Sequence, residues 1–277
     1  MIILICYDEN LTSKAVEVLN RLQSLGYEAI LDEPLRGDTL TETTDVIGAK
    51  ENTFDMIVSV GGDGTMLRAT QKAIAFDKAI FGINAGRVGF LSAFDFNDLD
   101  RITKEDIASL SMTKRMLLEV TIEDDPSKSY LVVNDVVISR NSISKTVELK
   151  VFSDLQLIGQ FRGDGIIVST PTGSTGYSLS AGGPIVEPLL DTMVVTPICA
   201  HTMFVRSIVL DGEKKVRIET SSRIDSDVFV SFDSTHMVNL NEGFSVSVVK
   251  SKRTLKLLSS EKRDYFDVLN KRIGSIY

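Results

Sequence analysis

The chain has 277 residues, of which 43% are hydrophobic and only six are proline, so it can bury a substantial core and lacks the composition of a disordered protein. At roughly 150 residues per domain, this length suggests two domains. The net charge is −8, with 38 Asp and Glu against 30 Lys and Arg. Because nucleic-acid-binding proteins use clustered basic charge to displace counterions, this balance argues against a general phosphate-backbone binder, while it still allows one local basic pocket.

The N-terminus and the cysteines indicate a soluble, cytoplasmic protein. The chain begins with a short apolar run, residues 1–6, without a basic region before it, which predicts a first strand and not a signal peptide. No uninterrupted run of about 18 apolar residues occurs, so we expect no membrane span. A disulfide between Cys6 and Cys199 is one alternative, but two thiols in a chain of this size are more typical of a reduced cytosolic protein.

The first hundred residues alternate between strand and helix patterns, which predicts an α/β domain with a Rossmann-like, mainly parallel sheet. The apolar run 2–6 is predicted as a strand, and the helix after it is predicted to start at a cap on Thr12 and to end at Gly26. The other predicted elements here are strands over residues 27–31, 56–60 and 79–83 and a helix over about residues 65–75.

After about Asp95 the pattern changes to short segments rich in Val and Ile at hairpin-like spacing, which predicts a β-rich, sandwich-like second domain. Its predicted strands cover residues 116–122, 130–139, 147–152, 165–169, 228–232 and 244–249. The stretch 265–273 has helical periodicity, and we expect it to pack on the first domain. The predicted domains are therefore residues 1–98, joined by the C-terminal helix 262–277, and residues 99–261.

The sharpest chemical signal is the segment 61–65 (Gly-Gly-Asp-Gly-Thr), which follows a predicted buried strand and begins a helix. Ligands bind at such carboxyl ends of strands, glycines let a ligand approach the backbone, and a helix start favours an anion. The segment is neither a Walker A motif nor a GxGxxG motif, so we expect it to bind phosphate through a different loop structure. Asp63 is either a base or hydroxyl-orienting group in phosphoryl transfer or a turn aspartate bonded to its own backbone.

Two other segments carry polar residues suited to a nucleotide. The first is Arg162 with residues 163–165 (Gly-Asp-Gly), which leads through an apolar strand into the hydroxyl-rich stretch 169–180. That stretch is either a flexible polar loop or a site in which Tyr177 stacks on a base and the hydroxyls and amides hold phosphate or ribose oxygens. The second, Asn134-Asp135, interrupts an apolar strand and is either a bulge or hairpin corner or a ligand-facing pair for a ribose diol.

These segments, together with residues 82–91 (Gly-Ile-Asn-Ala-Gly-Arg-Val-Gly-Phe-Leu), resemble the NAD kinase family in order and spacing over roughly residues 55–240. The first motif alone is shared with lipid kinases and, loosely, with phosphofructokinases, whereas the stretch 169–178 with its Asn-Asp partner is far more specific. The resemblance implies an α/β domain joined to a β-rich domain. It also implies an enzyme that transfers a phosphoryl group from ATP, or polyphosphate, to the 2′-hydroxyl of the adenosine ribose of NAD.

The resemblance further implies roles for individual residues, with Asp63 as the base that orients and deprotonates the hydroxyl. The implied substrate contacts are Gly64 against the cofactor, Arg68 at phosphate, Phe90 near the adenine, Asn134 and Asp135 on a ribose, Thr175, Tyr177 and Ser180 along the adenosine and phosphate path, and Lys145, Arg162 and Asp164 around the other end of NAD. We expect a divalent cation, Mg²⁺ or another, to come with ATP, and we assign no protein residue to a metal. We also expect a homodimer or homotetramer that binds small-molecule substrates but neither nucleic acid nor membrane.

Three positions depart from the family pattern: Gly176, where Ala is common, Val88, where Leu is usual, and Ser234, which follows Asp233 where Gly is common. Two other functions remain open. A lipid kinase with the same first motif is disfavoured by the net charge of −8 and by the hydroxyl-rich stretch. A sensor that only binds NAD or NADP is disfavoured by Asp63, because binding alone gains nothing from a carboxylate beside phosphates. The choice between ATP and polyphosphate, the use of NADH, the subunit number and feedback by NADPH stay open.

Overall fold

The computed structural model describes residues 1–35, 53–86, 89–123, 126–140, 146–201, 206–220, 228–240, 243–261 and 263–274. Three residues of the motifs above, Arg87, Val88 and Lys145, lie outside these ranges. The described residues form two compact units, the first from residues 1–114 and 255–274 and the second from residues 115–254. The predicted domain boundaries, at 98/99 and 261/262, differ from these divisions and stay a prediction.

The apolar runs of the first unit form parallel strands, because side chains on both faces of these strands are buried. Its elements are β1 (Ile2–Tyr7), α1 (Thr12–Ser24), β2 (Glu28–Leu31), β3 (Met56–Gly61), α2 (Asp63–Ala75), β4 (Ala79–Asn84), β5 (Ser92–Asp95) and α3 (Lys104–Ala108). The sheet order is β2-β1-β3-β4-β5, and every neighbouring pair is parallel. The predicted parallel α/β arrangement is confirmed, and it brings the carboxyl ends of β1, β3 and β4 to one edge.

The first helix begins differently from the prediction at Thr12. Thr12 is the first residue of α1 and not its cap, and a 3₁₀ turn, Glu9–Leu11, leads into the helix. The Thr12 hydroxyl donates to the Glu9 carbonyl at 2.6 Å, so it serves the turn before the helix and not the amides inside it. Gly26 follows the helix end as predicted, with a φ of 83° that suits glycine.

The second unit consists almost entirely of antiparallel strands, which confirms the β-rich prediction. The remaining elements of the chain are β6 (Ser111–Ile122), β7 (Ser129–Val132), β8 (Asp135–Arg140), β9 (Val147–Ser153), β10 (Gln156–Gly163), β11 (Gly165–Ser169), α4 (Tyr177–Ser180), β12 (Thr192–Ile198), β13 (Ile208–Asp211), β14 (Val216–Thr220), β15 (Val228–Phe232), β16 (His236–Leu240), β17 (Ser245–Ser259) and α5 (Tyr265–Gly274). One sheet has the order β13-β12-β11-β8-β15-β16, and β10-β9-β14-β17 form a second antiparallel run. Helix α5 belongs to the first unit.

Candidate functional site

In the first unit, the loop at the carboxyl end of β3 places Asp63 at the first position of α2. Gly61 ends β3, and Gly62 precedes the helix in an extended conformation. A Cβ at Gly61 would lie 2.6 Å from the Thr65 Cβ, so this position excludes a side chain. The Ala85 amide donates to the Gly61 carbonyl at 3.1 Å, which ties the segment after β4 to the same edge of the sheet.

Protein packing does not explain why residues 62 and 64 are glycines, Gly62 and Gly64. Among the described residues, no heavy atom outside the local backbone lies within 4 Å of the Cβ position at either. Glycine inside a helix costs about 1 kcal/mol relative to alanine, and Gly64 lies in the first turn of α2. Both glycines leave the amides at the helix start open to the approach of a ligand, and a helix N-terminus favours an anion.

The Asp63 carboxylate is held by groups distant in sequence and not by its own turn. Its oxygens accept hydrogen bonds from the Phe90 amide at 3.3 Å and from the Leu91 amide at 3.4 Å. Arg272 of α5 forms an ion pair with it at 3.2 Å. Its side chain is 24% exposed, so the carboxylate is partly shielded from water yet still reachable. These surroundings suit a group that accepts a proton from a bound hydroxyl.

Arg68, which the resemblance directs towards phosphate, is engaged by a carboxylate at the end of β1. The guanidinium of Arg68 forms an ion pair with Asp8, and the Thr65 hydroxyl donates to the same carboxylate. Asp8 directly follows β1, the strand beside β3, so its position at the carboxyl edge of the sheet is a signal that sequence reasoning could have used. Asp8 orients Arg68 and Thr65 next to the glycine loop.

In the second unit, the Asn134-Asp135 pair forms a corner between β7 and β8. The predicted single strand 130–139 is therefore interrupted, and the physical reason is Asp233. The Asp233 carboxylate accepts hydrogen bonds from three consecutive amides, those of Val133 at 2.8 Å, Asn134 at 2.7 Å and Asp135 at 3.2 Å. These amides consequently do not continue a sheet ladder. The pair is neither a bulge nor a hairpin corner, because β7 pairs with β6 whereas β8 pairs with β11 and β15, so the chain passes from one sheet to the other at this point.

The side chains at this corner carry oxygens that need hydrogen-bond donors. Asn134 Oδ1 and Asp135 Oδ1 are buried and have no hydrogen-bond partner among the described residues. Buried polar atoms in folded proteins normally have partners, so these two oxygens are candidates for contacts with ligand hydroxyls. The other Asp135 oxygen lies 3.7 Å from the Cβ position at Gly176, so the pair borders the hydroxyl-rich stretch.

Burial perturbs the two carboxyl groups of this corner, and the charge of Asp233 adds to the effect on Asp135. Burial, together with the charge of Asp233, raises the pKa of Asp135 to about 7. Burial also raises the pKa of Asp233 to about 6, although its three amide donors act in the opposite direction. Near neutral pH, Asp135 can therefore either accept a hydrogen bond or donate one. Both options are useful for holding a ribose hydroxyl.

The hydroxyl-rich stretch is a packed segment and not a loose polar loop. It contains a 3₁₀ helix, Thr172–Thr175, and the one-turn helix α4, and most of its hydroxyls are buried. The Thr170 hydroxyl donates to the Val133 carbonyl at 2.6 Å and accepts from the Gly173 amide at 3.0 Å, so it braces the Asn134 corner.

Three predicted site residues of this stretch lie on its accessible side. Tyr177 is 44% exposed, Ser180 is exposed and Thr175 is partly buried. The segment thus separates hydroxyls that hold the fold from hydroxyls that a ligand can reach. Tyr177, Ser180 and Thr175 belong to the second group.

Arg162 and Asp164 each have a protein partner. Arg162 donates two hydrogen bonds to Glu148, at 3.0 and 2.9 Å, and Asp164 is paired with Arg140 at 2.8 and 2.7 Å. The roles of Arg162 and Asp164 in binding NAD stay predictions. Lys145 lies outside the described residues.

Four residues of these surroundings carried no predicted role: Asp8, Thr170, Asp233 and Arg272. The one that sequence could best have revealed is Asp233, because Gly is common at the following position. Ser234 has a φ of 56°, a left-handed conformation that favours glycine, and Asp233 itself has a φ of 49°. This tight turn aims the Asp233 carboxylate at the corner.

Neither a metal cluster nor a membrane helix is found within the described ranges. No group of three or more His, Cys, Asp and Glu side chains is arranged there to hold a metal ion. None of the helices in those ranges has the length and apolar character needed to cross a bilayer.

Comparison with known proteins matches both units to one family. Residues 2–108 match the ATP-NAD kinase N-terminal domain, and residues 133–260 match the ATP-NAD kinase C-terminal domain. The NAD kinase of Clostridium beijerinckii is 38% identical over 223 residues, which cover 79% of this chain and 78% of that protein. The NAD kinase of Syntrophotalea carbinolica is 33% identical over 276 residues, which cover 97% and 95%.

Solved structures have the same fold. A crystal structure of an NAD kinase from Archaeoglobus fulgidus in complex with ATP is 26% identical, covers 100% of both chains and superposes with a TM-score of 0.77. Yeast NADH kinase complexed with NADH is 24% identical, with a TM-score of 0.81 over 99% of this chain and 88% of that one. At that identity the second likeness shows the fold alone.

Proposed function

The chain belongs to the NAD kinase family, a family of phosphotransferases, and from this premise we propose how it phosphorylates NAD. The donor is ATP, in keeping with the ATP-NAD kinase domains that match both units, and polyphosphate is the alternative donor. The acceptor is the 2′-hydroxyl of the adenosine ribose of NAD, and the product is NADP. The observation that carries this proposal is the Asp63 carboxylate at the start of α2, beside two glycines that no packing requires.

In the transfer step, Asp63 acts as the base. The proton of the ribose hydroxyl moves to the Asp63 carboxylate, the hydroxyl oxygen forms a bond to phosphorus, and the bond between that phosphorus and the leaving ADP oxygen breaks. The open backbone at Gly62 and Gly64 receives phosphate oxygens at the helix start. Arg68, oriented by Asp8, supplies positive charge at the same edge. Phe90, whose amide bonds Asp63, packs near the adenine.

In the second unit, Asn134 and Asp135 hold a ribose. Their unpartnered buried oxygens accept hydrogen bonds from its hydroxyls, which would satisfy the hydrogen-bonding capacity of both side chains. The accessible residues of the hydroxyl-rich stretch line the adenosine and phosphate path: Thr175, Tyr177 and Ser180. Arg162 and Asp164 surround the other end of NAD, and Lys145 is proposed for the same region from the family resemblance alone.

Three further properties belong to the proposal. A divalent cation, Mg²⁺ or another, accompanies ATP, because the charge of a transferring phosphoryl group has to be offset. The enzyme assembles as a homodimer or homotetramer, which light scattering of the purified protein can measure. It acts in the cytoplasm, in keeping with its two free thiols.

The test is NADP formation by the purified protein with ATP, Mg²⁺ and NAD, run beside a dispersed lipid acceptor and repeated with Asp63→Asn. This change preserves the shape of the side chain and removes its basic charge, so we expect kcat to fall by about 10²–10⁴-fold while NAD still binds. A matched control is Asp77→Asn, because Asp77 lies just beyond the opposite end of α2 and its side chain is mostly exposed.

The outcomes separate the alternatives. Phosphorylation of the lipid in place of NAD would make the chain a lipid kinase. NAD binding without NADP formation in the wild type would indicate a sensor. Turnover of Asp63→Asn within a few-fold of the wild type would show that Asp63 is not the base.

A further inference from the structure

We infer that Arg272, in the last turn of α5, is a positioning residue that holds the Asp63 carboxylate in its reactive orientation. This inference rests on the proposed role of Asp63 as the base. It assigns a catalytic contribution to the C-terminal helix, which otherwise carries no part of the predicted site.

The first observation is how weakly the carboxylate is held without Arg272. The two amides that donate to Asp63 do so at 3.3 and 3.4 Å, both beyond the usual range for such hydrogen bonds. Arg272 adds an ion pair at 3.2 Å to the same oxygen that accepts from Phe90. The other oxygen accepts only from Leu91 among the described residues and so keeps a lone pair for a substrate hydroxyl.

The second observation is that the guanidinium of Arg272 is itself fixed in place. It lies over the Phe90 ring, with 4.9 Å between the central guanidinium carbon and the ring centroid. Tyr265, the first residue of α5, packs against the same Phe90 ring, with 5.9 Å between the two ring centroids. Residues seven apart lie on one face of a helix, so both ends of this face of α5 contact Phe90. Stacking of arginine on an aromatic ring restricts its rotamers and leaves its donors directed at the carboxylate.

The third observation is that α5 is anchored independently of this contact. Val268 and Leu269 are buried, and Arg263, just before the helix, pairs with Asp95 at 3.2 Å. The Arg272 side chain is 38% exposed, so it lies at the edge of the helix contact, whereas Val268 and Leu269 form the buried part of that contact. Replacing Arg272 should therefore leave the helix docked and change mainly the freedom of the Asp63 side chain. Poor placement of a reacting group lowers the rate more than it lowers substrate binding.

The experiment compares Arg272→Ala and Arg272→Gln with the adjacent control Lys271→Ala, which removes one positive charge from an exposed position of the same helix. We expect kcat to fall by about 10–100-fold in both Arg272 variants, with KM for NAD and the thermal midpoint close to those of the wild type. Lys271→Ala should keep the wild-type kcat. Arg272→Gln keeps the aliphatic part of the side chain and a planar polar end without the charge, so it carries the test if the alanine variant fails to fold. Wild-type kcat in either folded Arg272 variant overturns the inference.

A double variant separates positioning from a structural role. In an Asp63→Asn background, Arg272→Ala should cause little further loss of kcat, because the group that it positions is already inactive. A further loss as large as in the wild-type background would mean that Arg272 acts elsewhere, and the inference would be wrong. An active Asp63→Asn variant would instead contradict the proposed function. Inactive Asp63→Asn together with a fully active Arg272→Ala would contradict only the inference.

Discussion

Two segments of this chain have the same letters, Gly-Asp-Gly, and opposite surroundings. At residues 62–64, no heavy atom outside the local backbone lies within 4 Å of either glycine's Cβ position in the described part of the chain. At residues 163–165, a Cβ at Gly163 would lie 2.8 Å from the Ile198 carbonyl oxygen, and a Cβ at Gly165 would lie 2.8 Å from the Ser139 Cβ. The second pair of glycines serves the contact between strands, whereas the first pair leaves free the space that our proposal assigns to a ligand.

The two aspartates differ in the same sense. Asp164 pairs with Arg140 at 2.7 and 2.8 Å, whereas the partners of Asp63 lie at 3.2–3.4 Å. Catalytic groups are often loosely bonded before substrate binds, because their best partner is the transition state. Surroundings, and not residue type, therefore distinguish the proposed base from a carboxylate that stabilises the protein.

The largest expected effect on stability comes from replacing one glycine of each segment with alanine, which adds one methyl group. Gly165→Ala should lower the free energy of unfolding by about 3 kcal/mol, because the new Cβ would meet strand backbone that cannot move aside. Gly64→Ala should keep or slightly raise stability, by up to about 1 kcal/mol, and should lower kcat/KM. Urea unfolding and steady-state kinetics on both variants measure this difference between the two segments. Equal stability of the two variants would contradict it.

A smaller effect concerns pH and the buried carboxyls of the Asn134 corner. Because the pKa of Asp135 is raised from 3.8 to about 7, and that of Asp233 to about 6, the folded protein favours their protonated forms. Their contribution to stability is therefore full below about pH 4 and is lost as the pH rises through about 6–7. We therefore expect the free energy of unfolding to fall as the pH rises from 5 to 8, because the folded protein gives up these protons over that range.

The measurement is the free energy of unfolding at pH 5 and pH 8, for the wild type and for Asp135→Asn. The variant is neutral at both pH values, so its stability should decline less between them. An equal decline in both proteins would show that these carboxyls do not set the pH dependence. Asp164→Asn serves as a control, because that carboxyl is paired with Arg140.

The smallest expected effect distinguishes the two aspartates kinetically. Asp164→Asn should leave kcat within a few-fold of the wild type and raise KM for NAD by about fivefold, the equivalent of about 1 kcal/mol for one weakened polar contact. Asp63→Asn should instead lower kcat, by about 10²–10⁴-fold, and leave KM for NAD close to that of the wild type. A fall in kcat of Asp164→Asn as large as that of Asp63→Asn would remove the distinction between the two segments.

Sequence alone determined the family and the two fold classes, and it predicted the segments in which we place the site residues. These features are local, because a strand-helix alternation or a motif such as residues 61–65 is a property of neighbouring residues. The interruption of the predicted strand 130–139 could also be suspected, since Asn134 and Asp135 are poor strand residues. Its cause is Asp233, which the turn position of Ser234 marks in the sequence, but the sequence does not show which amides Asp233 binds.

Only the tertiary structure decided which groups hold these segments in place. Asp233 lies about a hundred positions beyond the corner that it binds, and Arg272 lies 209 positions beyond Asp63. No periodicity links residues so far apart, because such pairs meet only after strands and helices have packed. The same packing buried the Thr170 hydroxyl and exposed Tyr177 within one stretch of similar polar residues, a division that depends on which side of the stretch faces the corner.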